Sequence, residues 1–409
     1  MSQTARPHLR ALDFQPVMHR GERMWLLRDP WQLSNRQIIV PPPLAQLLLL
    51  CDGTRTPRRI HAELCRQFGA EFPYDMVSET LAELDANYLL HNERFAAERQ
   101  RHLAAYRAQP FRPPALANLS YPASADELST LFNHYGQVAE AAELTPIVVR
   151  GVVSPHIDYQ RGGPVYAQVW RQAAPSVLEA DLVLIFGTDH NGRAGSITLT
   201  RQPFATPYGI LPTDTALIDS LAEAVGTEAA YAEELNHRQE HSIELSAVWL
   251  HHVFAQAGRA PCPIVPVLIG SFHHFLSNGH HPANDPTFNH FLNALRQGTA
   301  GRRVLIVGSV DLAHVGPAFG DPFGMDAARR ERLRGADAGL MNAILSGDAA
   351  DFYRQIYMVQ DQNRICGFAP LYLMLRFLES TGGVQVAYPH CPADATDTSL
   401  VSICGLLLA

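Results

Sequence analysis

Five short polar stretches carry residue types that bind metals or move protons. Each stands at the end of an apolar run or at the start of a helical pattern. Ser154-Pro155-His156-Ile157-Asp158 follows the β-branched run 147–153, and Pro155, which has no N–H to give a ladder, ends that strand. Gly187-Thr188-Asp189-His190 follows the apolar run 182–186, and Asp311-Leu312-Ala313-His314 follows 304–309. Glu240-His241-Ser242-Ile243-Glu244 opens one helical pattern, and Ile365-Cys366-Gly367 opens another at Phe368. In an open α/β sheet, strand C-termini and helix N-termini share one edge, and ligands bind there. His156, His190, His241, His314 and Cys366 can therefore converge. A single histidine in such a place is more often a cap or a satisfied, partly buried group. That explanation strains when four occupy equivalent positions.

Neutral imidazoles and a thiolate are good ligands for Zn, Fe or Cu. Two histidines and one anionic ligand leave coordination positions open for water, O₂ or substrate, as in the non-haem iron facial triad, here with a thiolate in place of the carboxylate. Asp311, Glu240 or Asp158 can orient a ligand imidazole by accepting its other N–H. His241 and His314 are then left as acid or base beside the metal. His251, His252, His273, His274, His280, His281 and His290 read as solvated surface and receive no role.

These residues need a scaffold. At 409 residues the chain has room for two or three domains. With 47% hydrophobic and 18% charged residues its composition is that of a globular protein. A net charge of −8 argues against a protein that coats nucleic acid. No apolar run reaches the roughly 18 residues of a membrane span, and the N-terminus lacks an apolar signal core. The six cysteines form no CxxC pair, which argues against a zinc ribbon and points to free thiols in a reducing cytoplasm.

Residues 1–110 read as a small α+β domain. The pattern predicts a hairpin over 25–29 and 37–40, helices over 44–51, 56–68 and 75–87, a closing strand over 88–91, and a polar helix over 92–109. Helix, turn, helix, helix, strand resembles a winged helix. The segment "LLLLCDGTRTPRRIHAELCRQFG…VSETLAELDANYLL" is more similar to the PqqD-like peptide-recognition domains. That resemblance implies a peptide or protein partner added as a strand to the hairpin edge. DNA binding ranks second, because Glu63, Glu71, Glu79 and Glu83 dilute Arg55, Arg58, Arg59 and Arg66; a purely structural appendage stands level with peptide binding. Three prolines in 110–114 predict a stiff linker over 111–118. From 119 to 409 strands over 147–153, 182–186, 264–269, 304–309, 384–388 and 400–407 alternate with helices over 126–143, 165–178, 215–224, 243–254, 287–296, 326–345, 349–358 and 368–378. That alternation predicts an α/β domain, with a mixed or largely parallel central sheet and helices on both faces.

"SPHIDYQRGG", "FGTDH", "EHSIE", "VDLAHVG" and "CGFAP" occur in the order found in the MEMO family, also called AmmeMemoRadiSam system protein B. The resemblance covers 119–409 and implies a fold similar to the class III extradiol dioxygenases. It implies that His156, His190 and Cys366 are metal ligands, that Asp311 and His314 stand beside the metal, and that His241 is the histidine of the "EHSIE" helix. Iron or copper is the implied metal, with either a redox or an adaptor role.

Three functions are thus in play. The first is a mononuclear Fe(II) or Cu centre with redox or dioxygenase-like chemistry on an unidentified small molecule. The second is a non-catalytic metal- or peptide-binding partner in a radical-SAM-linked or peptide-modification pathway. The third is a Zn-dependent hydrolase using Glu240 or His314 as base.

Overall fold

A computed structural model describes residues 6–34, 36–69, 72–139, 147–277, 279–379 and 382–409. The chain divides into two compact units, Met1–Gln109 and Pro110–Ala409.

In the first unit, β1 (Asp13–His19), β2 (Glu22–Arg28) and β3 (Ile38–Val40) form an antiparallel sheet in that order. Helices Pro42–Leu50, Pro57–Phe68, Tyr74–Ala86 and Glu93–Arg107 follow. The core is built from Leu27, Val40, Leu47, Ile60, Leu64, Val77 and Leu84. The expected pairing of 25–29 with 37–40 forms as β2 against β3, with Trp25 opposite Val40. A second hairpin precedes it, between β1 and β2, closed by Arg20 and Gly21, both at positive φ (52° and 84°) as a tight two-residue hairpin turn requires. Pro16 conceals β1 in the sequence, since proline sits only in an edge strand. The expected strand 88–91 does not form. Tyr88 has φ 60°, which breaks the extended chain, and only Leu90 makes a single bridge, to Leu9.

The second unit is an α/β sandwich around a seven-stranded sheet. Its strands are β4 (Gly151–Ser154), β5 (Leu182–Thr188), β6 (Ile197–Leu199), β9 (Ile264–Ile269), β10 (Val304–Ser309), β12 (Gly383–Ala387) and β15 (Gly405–Leu408). A small pair, β7 (Phe204–Thr206) and β8 (Gly209–Leu211), lies outside it, as do β11 (His314–Val315), β13 (His390–Pro392) and β14 (Leu400–Ser402). The order β12-β15-β4-β10-β5-β9-β6 has a parallel centre, β4-β10-β5-β9, and antiparallel flanks. The central strands are buried on both faces, so they read as unbroken apolar runs. Alternate residues of β5 serve two cores. Leu182, Leu184 and Phe186 face one that holds helices Thr215–Val225, Pro286–Thr299, Ala327–Leu345, Ala349–Met358 and Phe368–Leu378. Val183 and Ile185 face the other, with helices Ala125–Val138, Tyr159–Glu179 and His241–Gln256.

Several boundaries differ from expectation. Residues 140–143 of the expected helix 126–143 lie outside the described residues. The expected strand 400–407 is two strands in different sheets, β14 and β15. Gly162-Gly163, a pairing that commonly marks a turn, lies inside helix Tyr159–Glu179. A Cβ on Gly163 would come within 2.6 Å of the Tyr135 ring, so glycine there serves close helix packing. The segment 111–118, expected as a linker, is built into the second unit, and Arg112 is fully buried in it.

His251 and His252 were expected on the surface and are buried, at 5% and 8% exposure. Their helix is apolar nearly all round, and such a helix is a core helix. Their Nδ1 atoms bond to Thr206 Oγ1 (2.7 Å) and Tyr208 Oη (2.9 Å). Burial pushes both pKa values down to about 4. Burial also drives His237 down to about 3; its Nε2 meets the Thr198 carbonyl, and among the described residues its Nδ1 has no hydrogen-bond partner. A histidine held neutral in the fold favours folding fully above the unfolded pKa of about 6.5, and that contribution is lost as pH falls toward the folded value. The second unit is therefore expected to lose stability as pH drops from about 6.5 to about 4. Amide exchange of β10 across that range, in the full chain, checks it: protection should fall steadily on acidification.

Candidate metal centre

The four central parallel strands deliver their C-terminal ends to one edge, and the polar stretches gather there. After β4, Pro155 turns the chain and His156 is laid down inside, 2% exposed. Asp311, following β10, fixes that turn: its Oδ1 accepts the backbone N–H groups of His156 (2.9 Å) and Ile157 (3.2 Å). After β5 comes His190. Helix His241–Gln256 starts beside it, tied by Ser242 Oγ donating to the Thr188 carbonyl (2.8 Å). Cys366 enters at the start of helix Phe368–Leu378. Gly367 N–H donates to the Asp311 carbonyl at 2.9 Å, and a Cβ on Gly367 would come within 2.7 Å of Val310.

The side chains converge. Among the described residues, ligand nitrogens of His156, His190 and His241 all lie within 4.8 Å of one another. Cys366 Sγ is 3.0 Å from His156 Nε2 and 3.4 Å from His190 Nε2. The opposite nitrogen of each imidazole is engaged. His156 Nδ1 meets the Ser309 carbonyl at 3.0 Å, and Glu240 Oε1 takes both His190 Nδ1 (3.0 Å) and His241 Nδ1 (3.1 Å). With Nδ1 of each ring held by these acceptors, Nε2 is the nitrogen left to face the cluster, and in His156 and His190 it meets Cys366 Sγ; supporting acceptors orient ligand histidines in this way. The floor is buried and the rim is open: the side chains of Glu240 and Asp311 are 3% and 4% exposed, those of His190 and His241 35% and 40%.

Charge is concentrated here. Burial alone would keep the Cys366 thiol neutral, but His156 and His190 hold its pKa well below the ordinary thiol value. Burial likewise opposes charge on His156, yet Cys366 and Asp311 push its pKa up to about 9. For His190, Glu240 and Cys366 outweigh burial and raise it well above the usual imidazole value. Burial would raise Glu240, but His190 and His241 hold it well below the carboxylate range. A thiolate and two carboxylates thus face imidazoles that are protonated only because of them. A divalent cation can take the place of those protons, and its binding would release them. Three imidazole nitrogens and a thiolate fit Fe, Cu or Zn by donor type, while an oxygen-seeking Mg or Ca does not fit.

The sequence-derived residues separate into groups. His156, His190, Cys366 and His241 are together, and Glu240 orients two of them. Asp311 works through backbone N–H groups, and its Oδ2 stands 3.7 Å from His156 Nε2. Asp158 is elsewhere: it caps helix Tyr159–Glu179 and pairs with Arg161 at 2.6 Å. His314 is outside the cluster; its Nδ1 is 3.2 Å from the Leu312 carbonyl and its ring meets Phe319 edge to face. Sequence reasoning missed Ser309, whose carbonyl fixes His156. It also missed Arg112, whose guanidinium reaches the carbonyls of His237 (2.5 Å) and Glu240 (3.0 Å).

The family model for "Memo-like protein" matches residues 112–406, from that arginine through to β15. The chain belongs to this family. A MEMO1 family protein of Aquifex aeolicus is 26% identical over 405 residues, covering 98% of this chain and 99% of that protein, so the likeness includes the N-terminal unit. MEMO1 family proteins of Methanosarcina mazei (27% identical, 66% of this chain, 88% of the relative) and Thermotoga petrophila (29%, 64% and 87%) match over about two thirds of the chain. Membership in the Memo-like family thus accompanies a histidine cluster at the sheet edge.

Proposed function

We propose that the second unit holds one metal ion, Fe(II) in preference to Cu or Zn, through His156, His190 and Cys366, with His241 at the open side. The observation that carries this reading is the convergence of the His156 and His190 Nε2 atoms on a thiol whose pKa is depressed, with His241 beside them. Thiolate with imidazole favours a redox metal over a hydrolytic Mg or Mn site. The metal, when bound, would supply one-electron chemistry on O₂ or a small organic substrate. The chain's own residues hold it, keep the floor dry at His156 and Glu240, and leave the His190–His241 rim open to the incoming molecule.

In this reading His314 moves protons and holds no metal. His314→Ala is expected to keep its metal while losing turnover, measured as oxygen consumption with catechols or modified peptides beside metal content. Loss of the metal as well would place His314 among the ligands.

For the first unit we propose binding of a peptide as an added strand along β1. This edge lies at the end of its sheet, and Phe14 and Met18 are 39% and 71% exposed. The unpaired cysteines suit a cytoplasmic setting. Among the described residues no helix is long and apolar enough to cross a membrane.

A further inference from the structure

Arg112 lies at the start of the second unit, yet its side chain is completely buried. A buried guanidinium is stable only where its charge and its donors are met. Here Arg112 pairs with Glu244 at 2.6 Å, both side chains at 1% exposure or less, and lies over the Phe204 ring at 4.9 Å. Its other donors go to the carbonyls of His237, Glu240 and Pro113. The Glu244 carboxylate is further held by the N–H groups of Ala115 and Leu116 (2.9 Å each) and by Tyr121 Oη (2.5 Å).

Glu240 and Glu244 are one helical turn apart at the start of helix His241–Gln256. The first carboxylate orients His190 and His241; the second grips Arg112. One guanidinium therefore spans the backbone that carries the metal-site carboxylate and the side chain one turn further on.

We propose that Arg112 is a positioning residue of the metal centre, clamping the first turn of helix His241–Gln256 so that Glu240 presents His190 and His241 with Nε2 toward the ion. The inference rests on the metal-centre reading above. A flexible ammonium in place of the planar fork can satisfy Glu244 but not the carbonyls of His237 and Glu240 at once.

The test is Co(II) binding by the full chain, followed by its absorption bands, including the thiolate charge-transfer band of Cys366. Arg112→Lys, which keeps the charge beside Glu244, and Arg112→Gln are expected to weaken Co(II) binding by about 10–100-fold, the range for loss of a supporting partner of a metal ligand. Both should also alter the spectrum. Tyr121→Phe removes a different Glu244 partner and loosens the same core, but should bind within about threefold of the parent, well short of that range. Should Arg112→Gln fail to fold, Arg112→Lys decides. Folded Arg112 variants with the parent's affinity and spectrum would overturn the inference, as would a Tyr121→Phe loss equal to theirs. A parent chain without a thiolate band would defeat the metal-centre reading and this inference with it; parent binding indifferent to Arg112 would defeat the inference alone.

Discussion

Serine in place of Cys366 is expected to weaken metal retention by more than about 100-fold, beyond the upper end of what losing an outer hydrogen-bond partner costs. The sulfur lies 3.0 and 3.4 Å from two imidazole nitrogens that hold its pKa well below the ordinary thiol value. It therefore offers a soft anionic donor near neutral pH. A serine hydroxyl has almost the same shape but stays protonated, so it removes both the negative charge and the softness. Cys366 N–H donates to the Leu312 carbonyl, a backbone bond that serine keeps, so the fold around the site should survive. Metal content after dialysis, parent against variant, is the measurement. Equal retention would remove Cys366 from the ligand set and leave the three histidines to hold the ion.

The second large effect is on stability. Glu244→Leu is expected to destabilise the second unit by about 3–5 kcal/mol, the usual consequence of removing one partner of a buried ion pair. Arg112 would keep its bonds to carbonyls but lose its countercharge, while Ala115 N–H, Leu116 N–H and Tyr121 Oη would lose their acceptor. The reading should be taken as amide exchange of β10 in the full chain, because two units make a single unfolding curve ambiguous. At about 1.4 kcal/mol per tenfold, protection should fall a hundredfold or more. A change below tenfold would mean that the network relaxes around water and that Arg112 is not held as described.

The sheet was legible in the sequence where burial on both faces leaves an unbroken apolar run. β9 and β10 form over 264–269 and 304–309 as expected, and helices Ala349–Met358 and Phe368–Leu378 have their expected bounds. Strands whose ends depend on tertiary partners were less visible. Ile403 and Cys404 are as apolar as their neighbours, so nothing local reveals that β14 and β15 belong to different sheets. Gly162 and Gly163 carry a turn signal, and only packing explains them: Gly162 lies against Ile157 and Gly163 against the ring of Tyr135, on another helix.

The candidate site followed the same division. His156, His190 and Cys366 were exposed to reasoning by the strand-end and helix-start pattern. The acceptors of their second nitrogens were not. Ser309 acts through a carbonyl, which every residue possesses, and Arg112 is separated from Glu240 by 128 positions. His251 and His252 were misplaced because two adjacent histidines look polar. The run Ala247-Val248-Trp249-Leu250 before them and Val253-Phe254 after them was the available signal that this helix is buried all round.

The central claim is that one metal ion sits among His156, His190 and Cys366. The most direct measurement is elemental analysis of full-length protein purified anaerobically without added metal, alongside the double variant His156→Ala/His190→Ala. The account predicts close to one iron or copper per parent chain and almost none in the double variant. A parent chain free of transition metal, or a double variant that keeps its metal in full, would contradict it.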